Sequence, residues 1–171
     1  GKIESIEARP GTVLPQSIPI AILINQNSAS ASEVVAACLK DRQRAIVVGE
    51  RSYGKGNVQS VLPIEGGRAA IRFTTAYYFP PSGQRIHKRP KDTQADQWGV
   101  LPSPGAEVTL SEEQLQKATQ RMRRRSDPLR NGTQPDHPLS QNEDPDDQQI
   151  AQDAQLAKAI ELLKTQTESH K

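Results

Sequence analysis

Ser30 and Lys55 are the two side chains whose surroundings in this chain point most directly to chemistry. A hydroxyl is a poor nucleophile near neutral pH, so it needs a neighbouring base and a backbone that holds its oxygen toward the substrate. Ser30 lies in Asn25-Gln-Asn-Ser-Ala-Ser-Ala-Ser-Glu33, after the short apolar run Pro19-Ile-Ala-Ile-Leu-Ile24. Beyond it, Ala31–Lys40 places Val34, Val35, Cys38 and Leu39 at helical spacing. Ser30 is therefore expected at a strand-to-helix turn. There the first helical amides are unpaired and the dipole is positive, so the Ala31 amide could stabilise an oxyanion forming beside Ser30. Lys55 lies in Gly54-Lys55-Gly56. A lysine acts as a base only when its amine is neutral, which requires burial or a cationic neighbour, and the flanking glycines permit a tight backbone that turns the side chain inward.

Each pattern also has a plainer meaning. Ser30-x-x-Glu33 before an apolar run is a capping box, in which the serine ties down a helix start. Ser28 and Ser32 are equally ambiguous hydroxyls, and Lys55 reads as a solvated turn residue if nothing else is demanded of it. Gly49-Glu-Arg-Ser-Tyr-Gly-Lys55 matches the opening of a phosphate-binding loop. That reading fails at Gly56, where a magnesium-binding Ser or Thr is needed, and at Asn57–Pro63, which alternates like a strand instead of opening a helix. Nucleotide binding is set aside.

Three ordered stretches resemble the carboxy-terminal processing peptidases, also called tail-specific proteases. They are Pro19–Asn25 running through Ser28-Ala-Ser-Ala-Ser-Glu-Val-Val-Ala36 to Leu39-Lys-Asp41, then Gly49-Glu-Arg-Ser-Tyr-Gly-Lys-Gly-Asn-Val-Gln59, then Ile71-Arg-Phe-Thr-Thr-Ala-Tyr77 with Pro81-Ser-Gly83. The resemblance covers about residues 17–105, and the separation of Ser30 from Lys55 is also that of the family. It implies a crotonase-like α/β fold with Ser30 as nucleophile, Lys55 as general base and Gln59 orienting the lysine. Positions 55 and 59 share a face in an extended segment, which agrees with that last role. The resemblance further implies the Ala31 amide as one oxyanion donor, and Asp41 stands where some members carry an auxiliary acid. A charged residue ending an amphipathic helix is otherwise simply solvated.

The implied activity is serine-type endopeptidase cleavage of proteins near accessible carboxy termini, with a homo-oligomer or an adaptor as further partner. The implied location is the periplasm or cell envelope. Residues 1–18 resemble neither the peptide-binding PDZ domain nor the "DLRxNxGG" loop that members carry upstream, so the chain looks like the carboxy-terminal part of a longer protease. Loss of one oxyanion donor typically lowers the rate by about 10²–10³, so such a fragment can bear catalytic residues and still be inactive. A different class stays open: a non-catalytic scaffold of the same fold that binds a peptide or an apolar ligand.

Composition agrees with a globular part joined to a weakly ordered one. Apolar residues make up 34% of the chain, below the usual range of about 45–50% that also counts glycine, and they crowd into the first hundred positions. No apolar run approaches the length that spans a bilayer, and no signal-peptide pattern opens the chain. The single cysteine, Cys38, excludes an internal disulfide and reads as a small packed helical residue. His87, His137 and His170 fall in no metal-ligand spacing, so neither a metal nor another cofactor is expected.

Organisation along the chain follows the same shifts. Residues 1–105 are read as the partial protease core. Arg68–Phe79 alternates as a strand, Pro80–Gly83 is a turn leading to a paired strand at Gln84–His87, and Lys88–Gln97 is a surface loop. Trp98 is a packing residue, and Ser103 stands where the family commonly has aspartate. Residues 106–125 hold a basic helix opening at Ser111 and ending in Arg121, Arg123, Arg124 and Arg125, a pattern that complements the helix dipole. With a net charge of only +2 and no aromatic residue beside that run, no nucleic-acid partner is expected. Residues 126–148 read as a disordered linker and 149–171 as a terminal helix, docked on the core or on another subunit.

Overall fold

The apolar run after Pro19 is too short for a helix and has no polar alternation, which suits a strand buried on both faces. The computed structural model describes residues 3, 11–12, 14–126 and 153–168 and has this run as strand β1, Ala21–Ile24. Helix α1, Ala31–Asp41, crosses over to β2, Ile46–Gly49, which pairs with β1 in parallel from Ala21↔Ile46 to Ile24↔Gly49. The helix stops in a Schellman turn: the Gln43 amide donates to Lys40 O at 2.8 Å and the Arg44 amide to Leu39 O at 2.8 Å, with Gln43 at φ 54°.

Apolar clusters lie on both faces of this βαβ unit, but Leu23 of β1 remains 39% exposed, so β1 itself is not buried on both faces. Ile24 and Val47 pack on Ala36 and Ala37 of α1 together with Ile86 and Val100. On the other face Val48 packs on Ala106 and on Ala159 of helix α3, Ala154–Glu168. Burying each of the large aliphatic side chains contributes about 1.5–3 kcal/mol. Gln155 of α3 is buried as well, and its Nε2 donates to Val108 O at 2.9 Å.

The buried face of α1 agrees only in part with the one its apolar spacing suggests: Val34 packs against the core, and Cys38 and Leu39 are half-buried. Val35 is 55% exposed, while Glu33, Ala36 and Ala37 face inward. Small residues let the helix lie close to β2, and a carboxylate is admitted to that face because, as described below, it is fully hydrogen-bonded.

Strands β3, Asn57–Ile64, and β4, Ala69–Tyr77, form an antiparallel hairpin separate from the parallel pair. The register steps between Val58↔Ala76 and Gln59↔Thr74, leaving Thr75 as a bulge in β4. β4 is exposed throughout. Gln84–His87 does not form the expected strand. Ile86 instead turns into the core, where its carbonyl accepts the Gly99 amide at 2.8 Å, because an apolar side chain gains more there than a strand would gain along a solvated hairpin. Lys88–Gln97 is a succession of turns with no regular element.

Ser103 is bound to β2: its amide donates to Val47 O at 2.7 Å and its hydroxyl accepts the Val47 amide at 3.0 Å. Helix α2, Glu112–Ser126, opens with a capping pair in which the Ser111 amide donates to Gln114 Oε1 at 2.9 Å and the Gln114 amide to Ser111 Oγ at 3.3 Å. The remainder of the linker read at 126–148 lies outside the described residues. Among the described residues no helix is long and apolar enough to cross a membrane.

Candidate active site

Two loops leave the carboxy-terminal ends of β1 and β2 and meet. The first, Asn25–Ser30, is folded on itself: the Ser28 amide donates to Asn25 O at 2.8 Å, and the Asn27 amide to Asn25 Oδ1 at 2.9 Å. The second, Glu50–Gly56, lies against it, with the Glu50 amide on Ile24 O at 3.0 Å and the Tyr53 amide on Ser28 O at 2.9 Å.

Ser30 ends the first loop at the amino terminus of α1 and is half-buried. Its backbone has φ 60° and ψ −120°, a conformation that costs a non-glycine residue about 1–3 kcal/mol and that recurs where strain positions a functional group. Ala31 is the first helical residue, so its amide has no partner within the helix.

Glu33 holds the two loops together. It is fully buried, and its carboxylate accepts four hydrogen bonds. Oε2 takes the Ser30 amide at 2.9 Å and the Lys55 amide at 2.8 Å, whereas Oε1 takes the Gly54 amide and the Ser52 hydroxyl, each at 2.6 Å. Ser52, itself buried, accepts the Val100 amide at 2.7 Å, which extends the network to the segment after Trp98. Four donors converging on one carboxyl group satisfy its oxygens, which is how a buried acid is accommodated here.

The glycines on either side of Lys55 answer to close packing. A Cβ on Gly54, whose φ is 89°, would lie 2.8 Å from Lys88 Cβ and 2.9 Å from the Trp98 ring. A Cβ on Gly56 would lie 2.6 Å from the His87 amide nitrogen. Both glycines face the 86–88 segment, which is joined to them by the Lys88 amide on Gly54 O at 2.9 Å. Lys55 between them is exposed and lines a cleft together with His87 and Lys88, instead of being turned into the core.

Ser30 and Lys55 are thus joined through their backbones, while their side chains are not hydrogen-bonded to each other. Gln59 lies in β3 opposite Thr74 and is exposed. Asp41 sits at the far end of α1, about 15 Å along the axis from Ser30, where its Oδ2 accepts the Ser82 amide at 2.9 Å. Cys38 is half-buried, and burial, reinforced by Asp41, pushes its thiol pKa up, away from nucleophilic character.

Ser52 is a positioning group that the linear pattern did not single out, and Glu33, legible there as the acid of a capping box, also joins the two loops. The available signal was the spacing of Glu33 with Ala36 and Ala37, which puts a carboxylate on the small-residue face of the helix.

Comparison with known proteins follows the same stretch. The family model for peptidase family S41 matches residues 3–98. A carboxy-terminal-processing protease of Bartonella bacilliformis is 46% identical over 100 residues, covering 57% of this chain and 23% of that protein. A carboxyl-terminal-processing protease of Synechocystis sp. is 47% identical over 92 residues, covering 54% of this chain and 19% of the relative. A solved photosystem II D1 C-terminal processing protease aligns with a TM-score of 0.44 at 36% identity, over 53% of this chain and 20% of that one. The chain therefore spans about a fifth of the length of the curated relatives it matches. With more than half of its residues within the family model, the chain belongs to peptidase family S41.

Proposed function

We propose that this chain carries the nucleophile and base of a serine-type endopeptidase that cleaves polypeptides near their carboxy termini. The observation that carries the reading is the shared bond to Glu33 Oε2, which places the backbones of Ser30 and Lys55 side by side. The strained φ of Ser30 and its place before the first helical amide support it. The fold is taken to be crotonase-like, with a periplasmic or cell-envelope location in keeping with the family resemblance.

In this mechanism Lys55, with its amine neutral, removes the proton from Ser30 Oγ as the oxygen attacks the peptide carbonyl carbon. The oxyanion accepts from the Ala31 amide. Collapse of the tetrahedral species breaks the C–N bond, the departing amine takes the proton from Lys55, and an acyl-enzyme remains on Ser30. Water deprotonated by Lys55 then releases the carboxylate product. Gln59 orients the lysine once the site is organised around substrate. Lys55 is exposed without substrate, so this mechanism requires that the bound polypeptide cover its amine and supply the burial that a neutral lysine needs.

Exposure of Lys55 also favours the second reading, a peptide-binding scaffold in which Ser30 only caps α1. Cleavage of an unfolded model protein by the full-length protein decides between them. Loss of cleavage in both Ser30→Ala and Lys55→Ala, with circular dichroism unchanged, is the expected result. Undiminished cleavage in either variant removes that residue from the mechanism, and a folded wild type that binds peptide without cutting it favours the scaffold.

A further inference from the structure

Beside Lys55 lies a cleft of about 950 Å³ whose charge the mechanism does not use. Its volume is at the upper end of the usual range for binding sites, about 300–1,000 Å³, so it admits more than one residue of a peptide. Ser30 is not among its lining residues, but Gln26 and Asn27 are, so the cleft borders the loop that ends at Ser30. Besides the general base Lys55, three basic side chains line it, Arg51, Lys88 and Arg89, against one acid, Glu50. The whole chain has a net charge of only +2, so positive charge is concentrated at this place.

Two of these cations, Arg51 and Lys88, are positioned by uncharged partners. The Arg51 guanidinium donates to two carbonyls, Asp96 O at 3.1 Å and Gln94 O at 3.0 Å, and lies 4.5 Å from the centre of the Trp98 ring. Lys88 Nζ lies 4.2 Å from the same ring. Trp98 is held in turn by its indole N–H, which donates to Thr93 O at 2.7 Å. Glu50 already accepts the Leu110 amide on Oε1 at 2.8 Å. Carbonyl and ring partners fix cationic heads without cancelling their charge, leaving them able to attract an anion.

We propose that this cleft is a subsite for carboxylate groups of the polypeptide substrate, a specificity that rests on the peptidase reading above. A nucleic acid fits the cleft less well, because Trp98 is buried with two cations over its ring and offers no open face for a base. Attraction of this kind acts over about 8 Å at physiological ionic strength, so the preference is salt-sensitive.

Trp98 is the single tryptophan of the chain, and its fluorescence reports on the cleft whether or not catalysis occurs. The probes are an alanine-rich peptide carrying glutamates and its glutamine counterpart, each with a free and an amidated carboxy terminus. The glutamate peptide is expected to bind about tenfold more tightly than the glutamine one, with the gap closing in high salt. The Lys88→Gln/Arg89→Gln double variant loses the preference, whereas Lys88→Arg/Arg89→Lys retains it. A preference that survives amidation places the carboxylate on a side chain, and one abolished by amidation alone places it at the chain end. Equal affinity for all four peptides overturns the proposal, as does a preference unchanged in the double variant or displacement of the peptide by an equal concentration of inorganic phosphate. Charge-selective binding by the full-length protein without any cleavage would sink the peptidase reading and leave the subsite standing.

Discussion

The amides of Ser30 and Lys55, twenty-five positions apart in the sequence, donate to the same oxygen, Glu33 Oε2, at 2.9 and 2.8 Å. A helix start and a glycine-flanked loop are thereby held in one geometry by a single buried carboxylate. A capping glutamate on an ordinary helix serves only its own first turn; this one also binds the loop that presents Lys55.

Replacing Glu33 with Ala leaves the donors of Ser30, Ser52, Gly54 and Lys55 without their acceptor. Each buried donor left unpaired costs about 1–3 kcal/mol, less where water enters, so a loss of about 3 kcal/mol or more is expected from urea denaturation. Glu33→Gln, which keeps the shape and loses the charge, should fall between wild type and Glu33→Ala. A loss below about 1 kcal/mol in Glu33→Ala would mean that the carboxylate does not hold the loops.

Ser30→Ala and Ser30→Gly both remove the hydroxyl, but they differ in backbone strain. At φ 60° and ψ −120° an alanine retains the penalty and a glycine relieves it. Ser30→Gly is expected to be more stable than Ser30→Ala by about 1 kcal/mol, while cleavage is lost in both. Equal thermal midpoints for the two variants would show that Ser30 is unstrained in solution.

Gly54→Ala forces a methyl group against Lys88 Cβ and the Trp98 ring at a positive φ. Destabilisation of about 2 kcal/mol is expected, combining overpacking with backbone strain. Because the ring must move, the emission of Trp98 should shift in the same variant. An unshifted spectrum at wild-type stability would contradict the packing described.

Asp92 connects pH to the loop that forms one wall of the cleft. Its bidentate pair with Arg85, then the Arg89 amide at 2.6 Å, holds its pKa below the ordinary carboxylate value. A folded-state pKa lowered in this way contributes stability that is present above the unfolded value, about 3.9, and lost as pH falls through the folded one. Urea midpoints measured from pH 5 downward should drop more steeply for wild type than for Asp92→Asn. Parallel curves would show that the pair makes no net contribution.

Much of the site's location was legible without coordinates, because its signals are local. A short apolar run, small residues around Ser30 and a helical spacing after it define a strand-to-helix turn, since those preferences act over a few residues. The parallel pairing of β1 with β2 is in keeping with the short helical crossover between them. The strand expected at Gln84–His87 did not form because its fate depended on Ile86, which lies in a core built by residues distant in sequence.

What the sequence alone determined was where a serine and a lysine could stand and which segments, Gln84–His87 excepted, would be strands and helices around them. Only the tertiary structure decided which face of α1 is buried, why glycines flank Lys55 and which way that lysine points. The reason is physical: Glu33 could be buried only once Ser52, Gly54 and Lys55 arrived to satisfy it, and the glycines became necessary only when the 86–88 segment and Trp98 packed against them. Contacts of that kind join residues far apart in the chain, and no local pattern records them.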